Sequence, residues 1–155
     1  MAGTIDARLA ELGIELPVAA APVANYVGYV QTGNLVFVSG QVTLKDGSPQ
    51  YIGKLGDSIS VEDGQAAARL CAINIIAQVK AACGGDLDRV QRVVKLGGFV
   101  NSTPDFTDQP KVINGASDLM VEVFADKGRH ARAAVSAGSL PLGVSVEVEA
   151  VVEIA

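Results

Sequence analysis

The sequence predicts an α+β fold: a mixed or antiparallel sheet with two long helices on one face and a short helix in front. Three observations point there. Val144, Val146, Val148, Ala150, Val152 and Ile154 alternate with Ser145, Glu147, Glu149, Val151 and Glu153, the period-two pattern of a strand buried on one side. Two stretches, 60–83 and 111–126, carry apolar residues at helical spacing. Between Val27 and Gln41 the composition turns β-branched and aromatic, and Thr32-Gly33-Asn34 divides it into the arms of a hairpin.

Taken in order, Thr4 starts a short amphipathic helix with Ile5, Leu9 and Leu12 on one side, and Gly13 stops it. Residues 14 to 25 read as an extended lead-in, and 45 to 58, with their glycines and proline, as a loop. Ser60 is placed to N-cap the first long helix, with Glu62 and Asp63 where negative charge favours a helix start. Ala67, Leu70, Cys71, Asn74, Ile75, Gln78 and Val79 mark its inner face and neighbours, and Gly84-Gly85 ends it. A strand over 90–100 leads to a polar loop holding Pro104 and Pro110. Val112, Leu119, Met120 and Phe124 define the second long helix, which Gly128 closes. A strand from Ala131 to Gly138 and the connection Ser139-Leu140-Pro141-Leu142-Gly143 precede the final strand. The expectation is one domain, 1–155, of which 1–21 are the N-terminal helix and lead-in.

With 49% hydrophobic and 19% charged residues, a chain of 155 can bury about two-thirds of its unfolded surface. Disorder is excluded. Mean hydropathy is +0.34, which leaves an apolar excess suited to burial between subunits. A net charge of -5 and the lack of basic runs argue against nucleic acid. Prolines and polar residues break every apolar stretch short of a membrane span, and the charged N-terminus is unlike a signal peptide, so a cytoplasmic protein is expected.

One histidine and two cysteines cannot supply a usual zinc set, and no phosphate-cradling glycine motif is present, so neither metal nor cofactor is expected. Ser39, in Val38-Ser39-Gly40-Gln41, lacks the nucleophile-elbow pattern and reads as a hydrogen-bonding residue. His130 has no carboxylate adjacent in sequence and reads as structural. Cys71 and Cys83, roughly 18 Å apart along one helix at 1.5 Å per residue, read as reduced packing residues. Arg132 stands out. Its alternate neighbours Ala134, Ser136 and Gly138 are small and leave space for a guanidinium fork to receive a carboxylate. The competing reading is a salt bridge to Glu147 or Glu149.

Tyr26 before Asn34-Leu35-Val36-Phe37-Val38-Ser39-Gly40-Gln41, with Arg132 before Leu140-Pro141 and Val146-Glu147-Val148-Glu149-Ala150, resembles the RidA/YjgF family of reactive-intermediate deaminases. The resemblance covers roughly residues 22–154. It implies a chorismate-mutase-like fold and a homotrimer with clefts between subunits. It also implies that Arg132 holds the carboxylate of a 2-imino or enamine acid while Glu147 works with a water. Tyr26, Ser39, Gly40 and Asn114 match cleft-lining positions, and Ala134 stands where members usually carry a cysteine. The flanks of Tyr26, Asn25 and Val27, differ from the usual Pro and Ser, and the stretch from Phe99 to Asn114 is longer than usual. Two functions follow, hydrolysis of imino acids or binding of a small carboxylic acid without turnover by a trimer of the same family; a third, a ribonuclease, follows only from older family labels and is opposed by the net charge of -5.

Overall fold

The computed structural model describes residues 3–21 and 24–155. Helix α1 (Thr4–Glu11) is followed by strands β1 (Tyr29–Thr32), β2 (Leu35–Val42), β3 (Leu44–Lys45) and β4 (Ser48–Pro49). Then come α2 (Val61–Ala82), β5 (Val90–Asn101), α3 (Gln109–Phe124), β6 (Ala131–Ala137) and β7 (Val146–Ile154). The main sheet has the order β1-β2-β7-β5-β6; β5 and β6 run parallel and the other neighbours antiparallel. The sheet is therefore mixed. Both long helices pack on one face of it, α2 over β2 and β7 and α3 over β5 and β6.

Local chemistry accounts for most of these elements. Ser60 Oγ accepts a hydrogen bond from Asp63 N at 3.1 Å, the N-cap the sequence predicts, and Gly84 and Gly85 leave α2 with positive φ. Gly33 supplies the positive φ of the two-residue turn between β1 and β2. The core runs from Leu9 to Ile154 and is lined on the sheet side by Val146, Val148, Ala150, Val152 and Ile154. The alternation of β7 is thus one face against α2 and one face away from it.

Three expectations need correction. Residues 45–58 are not a continuous loop, because Asp46-Gly47, both at positive φ, close the small β3–β4 hairpin. Pro110 lies in the first turn of α3, where a proline's missing N–H has no intrahelical partner to lose, and the helix ends at Phe124 before a 3-10 turn over Ala125–Gly128. β6 ends at Ala137 and β7 begins at Val146. The lead-in has no regular structure over 14–21 and 24–25; its residues 22–23 lie outside the described residues. No helix among the described residues is long and apolar enough to cross a membrane.

Candidate functional site

The residues selected from sequence fall into two groups. Tyr26, Ser39, Gly40 and Glu147 line one cavity of about 790 Å³, together with Asn74 and Gln78 of α2, Leu142, and lead-in residues from Pro17 to Ala21. Arg132, Asn114 and Ala134 lie elsewhere, between β6 and α3. A more open groove of about 920 Å³ between α1, α2 and β3 contains none of the selected residues.

The first group is built by a β-bulge. The β2–β7 register steps from Val38↔Ala150 to Gln41↔Val148, which leaves Ser39 and Gly40 out of the ladder. A bulge re-aims what it carries. Ser39 N donates to Gly28 O at 2.9 Å and Ser39 Oγ to Val27 O at 2.6 Å, so the hydroxyl proton is committed to backbone. Gly40 lies against Glu147 so closely that a Cβ there would collide with Oε2 of the carboxylate. No described residue donates a hydrogen bond to the Glu147 carboxylate. Burial pushes its pKa up, and the neighbouring Glu149 pushes it further the same way. A half-buried carboxylate of this kind is a stronger base than an exposed one and has lone pairs free for water.

The second group is organised by α3. Arg132 Nη1 donates to Asn114 Oδ1 at 2.8 Å and to Ser117 Oγ at 3.0 Å, and Nη2 donates to Pro110 O at 3.2 Å. A guanidinium has five N–H donors. Both hydrogens of Nη1 are used, while Nε–H and one hydrogen of Nη2 have no partner among the described residues, so the guanidinium keeps two donors for a carboxylate. Ala134 pairs with Gly98 and packs against the core.

The salt bridge to Glu147 or Glu149 is not formed, and the sheet explains why. Arg132 pairs with Leu96, which is fully buried under the helices. Glu147 pairs with Phe99 and Glu149 with Gly97, positions of the opposite parity in β5. Partners in register share a face, so Arg132 points to the helix side and both glutamates to the open side. Arg132 takes part in none of the ion pairs among the described residues.

Sequence reading missed Gln78, Asn74 as a cavity residue, and Ser117. The last had a signal: Pro110, Asn114 and Ser117 recur at helical spacing, so that one face of α3 meets Arg132. Cys71 and Cys83 are free and buried, and burial pushes both thiols up, as expected of packing residues.

The family model described as "YjgF/chorismate_mutase-like, putative endoribonuclease" matches residues 6–154. The chain belongs to the RidA/YjgF family. The chain is 54% identical to Protein TCP17 of Trypanosoma cruzi, covering 98% of this chain and 95% of that one. It is 29% identical to a 2-iminobutanoate/2-iminopropanoate deaminase of Dermatophagoides farinae, over 91% of this chain and 94% of the relative. Among solved structures it is similar to Atu1372 of Agrobacterium tumefaciens, of unknown function, at 52% identity and a TM-score of 0.92, covering 97% of this chain and 92% of that one. It is also similar to E. coli TdcF with bound serine, at 25% identity and a TM-score of 0.65, covering 92% and 98%. The RidA/YjgF fold is thus the α+β architecture anticipated from the strand and helix periods.

Proposed function

We propose that this RidA/YjgF chain hydrolyses 2-imino acids, and enamine acids through their imine tautomers, to 2-oxo acids and ammonia. The observation that carries this reading is Glu147, a carboxylate of raised pKa with open lone pairs in a cavity with Tyr26, Ser39 and Gly40. Glu147 takes a proton from water as the oxygen adds to the carbon of the protonated imine, C=NH2⁺, whose nitrogen becomes an amine. Glu147 then returns its proton to that nitrogen; as the C–N bond breaks and ammonia leaves, the carbinol hydroxyl gives its proton to Glu147 and the carbon becomes a carbonyl, the proton passing on to solvent. Such imines hydrolyse unaided in water, so orientation and one acid/base group meet the demand.

Arg132 holds the substrate carboxylate through its unpartnered Nε–H and remaining Nη2–H. Because Arg132 and Glu147 face opposite sides of one sheet, a ligand touching both requires two chains, which supports a homotrimer with sites between subunits. The open sheet face supports the same assembly: Val30, Phe37 and Val135 lie on it with 54%, 46% and 46% exposure. The similarity to the Dermatophagoides 2-iminobutanoate/2-iminopropanoate deaminase and to serine-bound TdcF supports a small carboxylic acid as ligand. Ala134, which puts a methyl group where a thiol is usual, favours a second reading, a trimer that binds such acids without turnover.

The test is ammonia release from 2-iminobutanoate generated in situ by an amino-acid oxidase. Release faster than the buffer rate, and lost in Glu147→Gln, is the expected result. Release at the buffer rate alongside saturable binding of 2-oxobutanoate would select the binding reading.

A further inference from the structure

Next to Arg132 lies a second pair of side chains, Ser117 of α3 and His130 just before β6, that the proposed chemistry does not use. His130 Nδ1 is 2.6 Å from Gly128 O. A carbonyl oxygen can only accept, so Nδ1 carries the hydrogen, and in the neutral ring Nε2 is a bare acceptor. Ser117 Oγ lies 2.8 Å from Nε2 and donates to it. A hydroxyl has one hydrogen. With that hydrogen turned to His130, the Oγ lone pairs are left facing Arg132 Nη1 at 3.0 Å. The polarity of every link is therefore set from one end: Nη1–H of Arg132 to Ser117 Oγ, Oγ–H to His130 Nε2, and Nδ1–H to the Gly128 carbonyl.

Asn114 Oδ1 takes the other hydrogen of Nη1, and Pro110 O takes one of Nη2. Three acceptors on one face of α3 thus define the plane of the guanidinium. Of the two side-chain acceptors, Asn114 has no other hydrogen bond among the described residues, whereas Ser117 has a second partner, His130, which takes the hydroxyl hydrogen and keeps it turned from Arg132. We infer that Ser117 and His130 are positioning residues for Arg132: the Gly128-anchored imidazole locks the Ser117 hydroxyl, and the hydroxyl helps fix the guanidinium whose Nε–H and remaining Nη2–H are left for a ligand. The inference rests on the reading of Arg132 as the carboxylate holder. Its consequence is orientation. A carboxylate seated on a fixed edge presents the adjacent C=N carbon in one direction, whereas a guanidinium free to turn presents it in several.

Two measurements on the full chain test this. The protein contains a single histidine, so ¹⁵N-histidine labelling reports one imidazole. At a pH where the ring is neutral, the wild type should show the tautomer protonated at Nδ1 and bare at Nε2. A ring protonated at Nε2 would overturn the inference without reference to any ligand. The second measurement is the Kd for 2-oxobutanoate at 25 °C, with the melting temperature as a control. Ser117→Ala and His130→Phe should each weaken binding by about tenfold, as loss of support for a charged donor would. Ser117→Thr, which keeps a hydroxyl, should bind like the wild type, and Ser117→Ala with His130→Phe should be no weaker than Ser117→Ala alone, since His130 acts through Ser117. A role confined to tying α3 to β6 would lower the melting temperature and leave Kd unchanged, which overturns the inference. Arg132→Ala separates the two ideas: if it loses binding while both other variants keep it, only the positioning role falls, and if it binds normally, the carboxylate-holder reading falls and takes the positioning role with it.

Discussion

Replacing Arg132 with alanine separates a ligand-facing fork from a structural cation, and the structure sets the size of both effects. The side chain makes three hydrogen bonds, to Asn114 Oδ1, Ser117 Oγ and Pro110 O. All three are made to neutral acceptors on one partly exposed face of α3, and water can reach them once the guanidinium is gone. No carboxylate is left stranded. The penalty of about 3–5 kcal/mol for breaking a buried ion pair therefore does not apply, and a loss of about 1–2 kcal/mol is expected. For a chain of this length that lowers the melting temperature by about 2–8 °C. Binding loses more. Removing a charge-assisted bidentate contact should weaken 2-oxobutanoate by about 1.5–3 kcal/mol, or about 10- to 150-fold in Kd. Arg132→Lys should recover little, because an ammonium keeps the charge but not a planar fork that serves α3 and ligand together. Calorimetric titration and thermal melts of both variants check these values. A variant that no longer folds, or one that binds 2-oxobutanoate like the wild type, would refute the reasoning.

Glu147→Gln should remove any imine hydrolysis while the protein stays folded, read as ammonia release. Its stability effect has a definite sign: the native pKa of Glu147 is raised, so the native state holds this proton more tightly than the unfolded chain, and the charged form costs stability as pH rises through the native pKa. The glutamine variant should therefore melt above the wild type at pH 7, with the difference vanishing as pH falls towards 4, and its absence at pH 7 would count against a desolvated carboxylate. Gly115→Ala should destabilise by about 1–3 kcal/mol, because a Cβ there would run into the backbone carbonyl of Gln65 and push α2 and α3 apart. Urea unfolding of that variant with an unchanged midpoint would mean the two helices are looser than they look.

What the sequence by itself determined is what depends on neighbours close along the chain. The alternation of β7, the Ser60 cap, the Gly33 turn and the glycines after α2 are each decided within a few residues, by a period of two or 3.6 or by a backbone angle only some residues adopt. Arg132 could be picked out the same way, as a lone cation among small residues. Tertiary structure alone decided which side of the sheet it faces. That depends on the parallel register Leu96↔Arg132 and the antiparallel register Phe99↔Glu147, and a slip of one residue in either would reverse the answer. The start of α1 shows the same limit. Gly3 offers no side-chain cap, and the helix is capped instead by Asp88, whose carboxylate accepts from Ile5 N and Thr4 N at 2.9 Å and is held below its usual pKa by those two bonds. The Ser117–His130–Arg132 chain likewise joins a helix to the start of a strand beyond it. Such links are made by packing two elements together, and no local period carries a record of which hydroxyl will meet which ring.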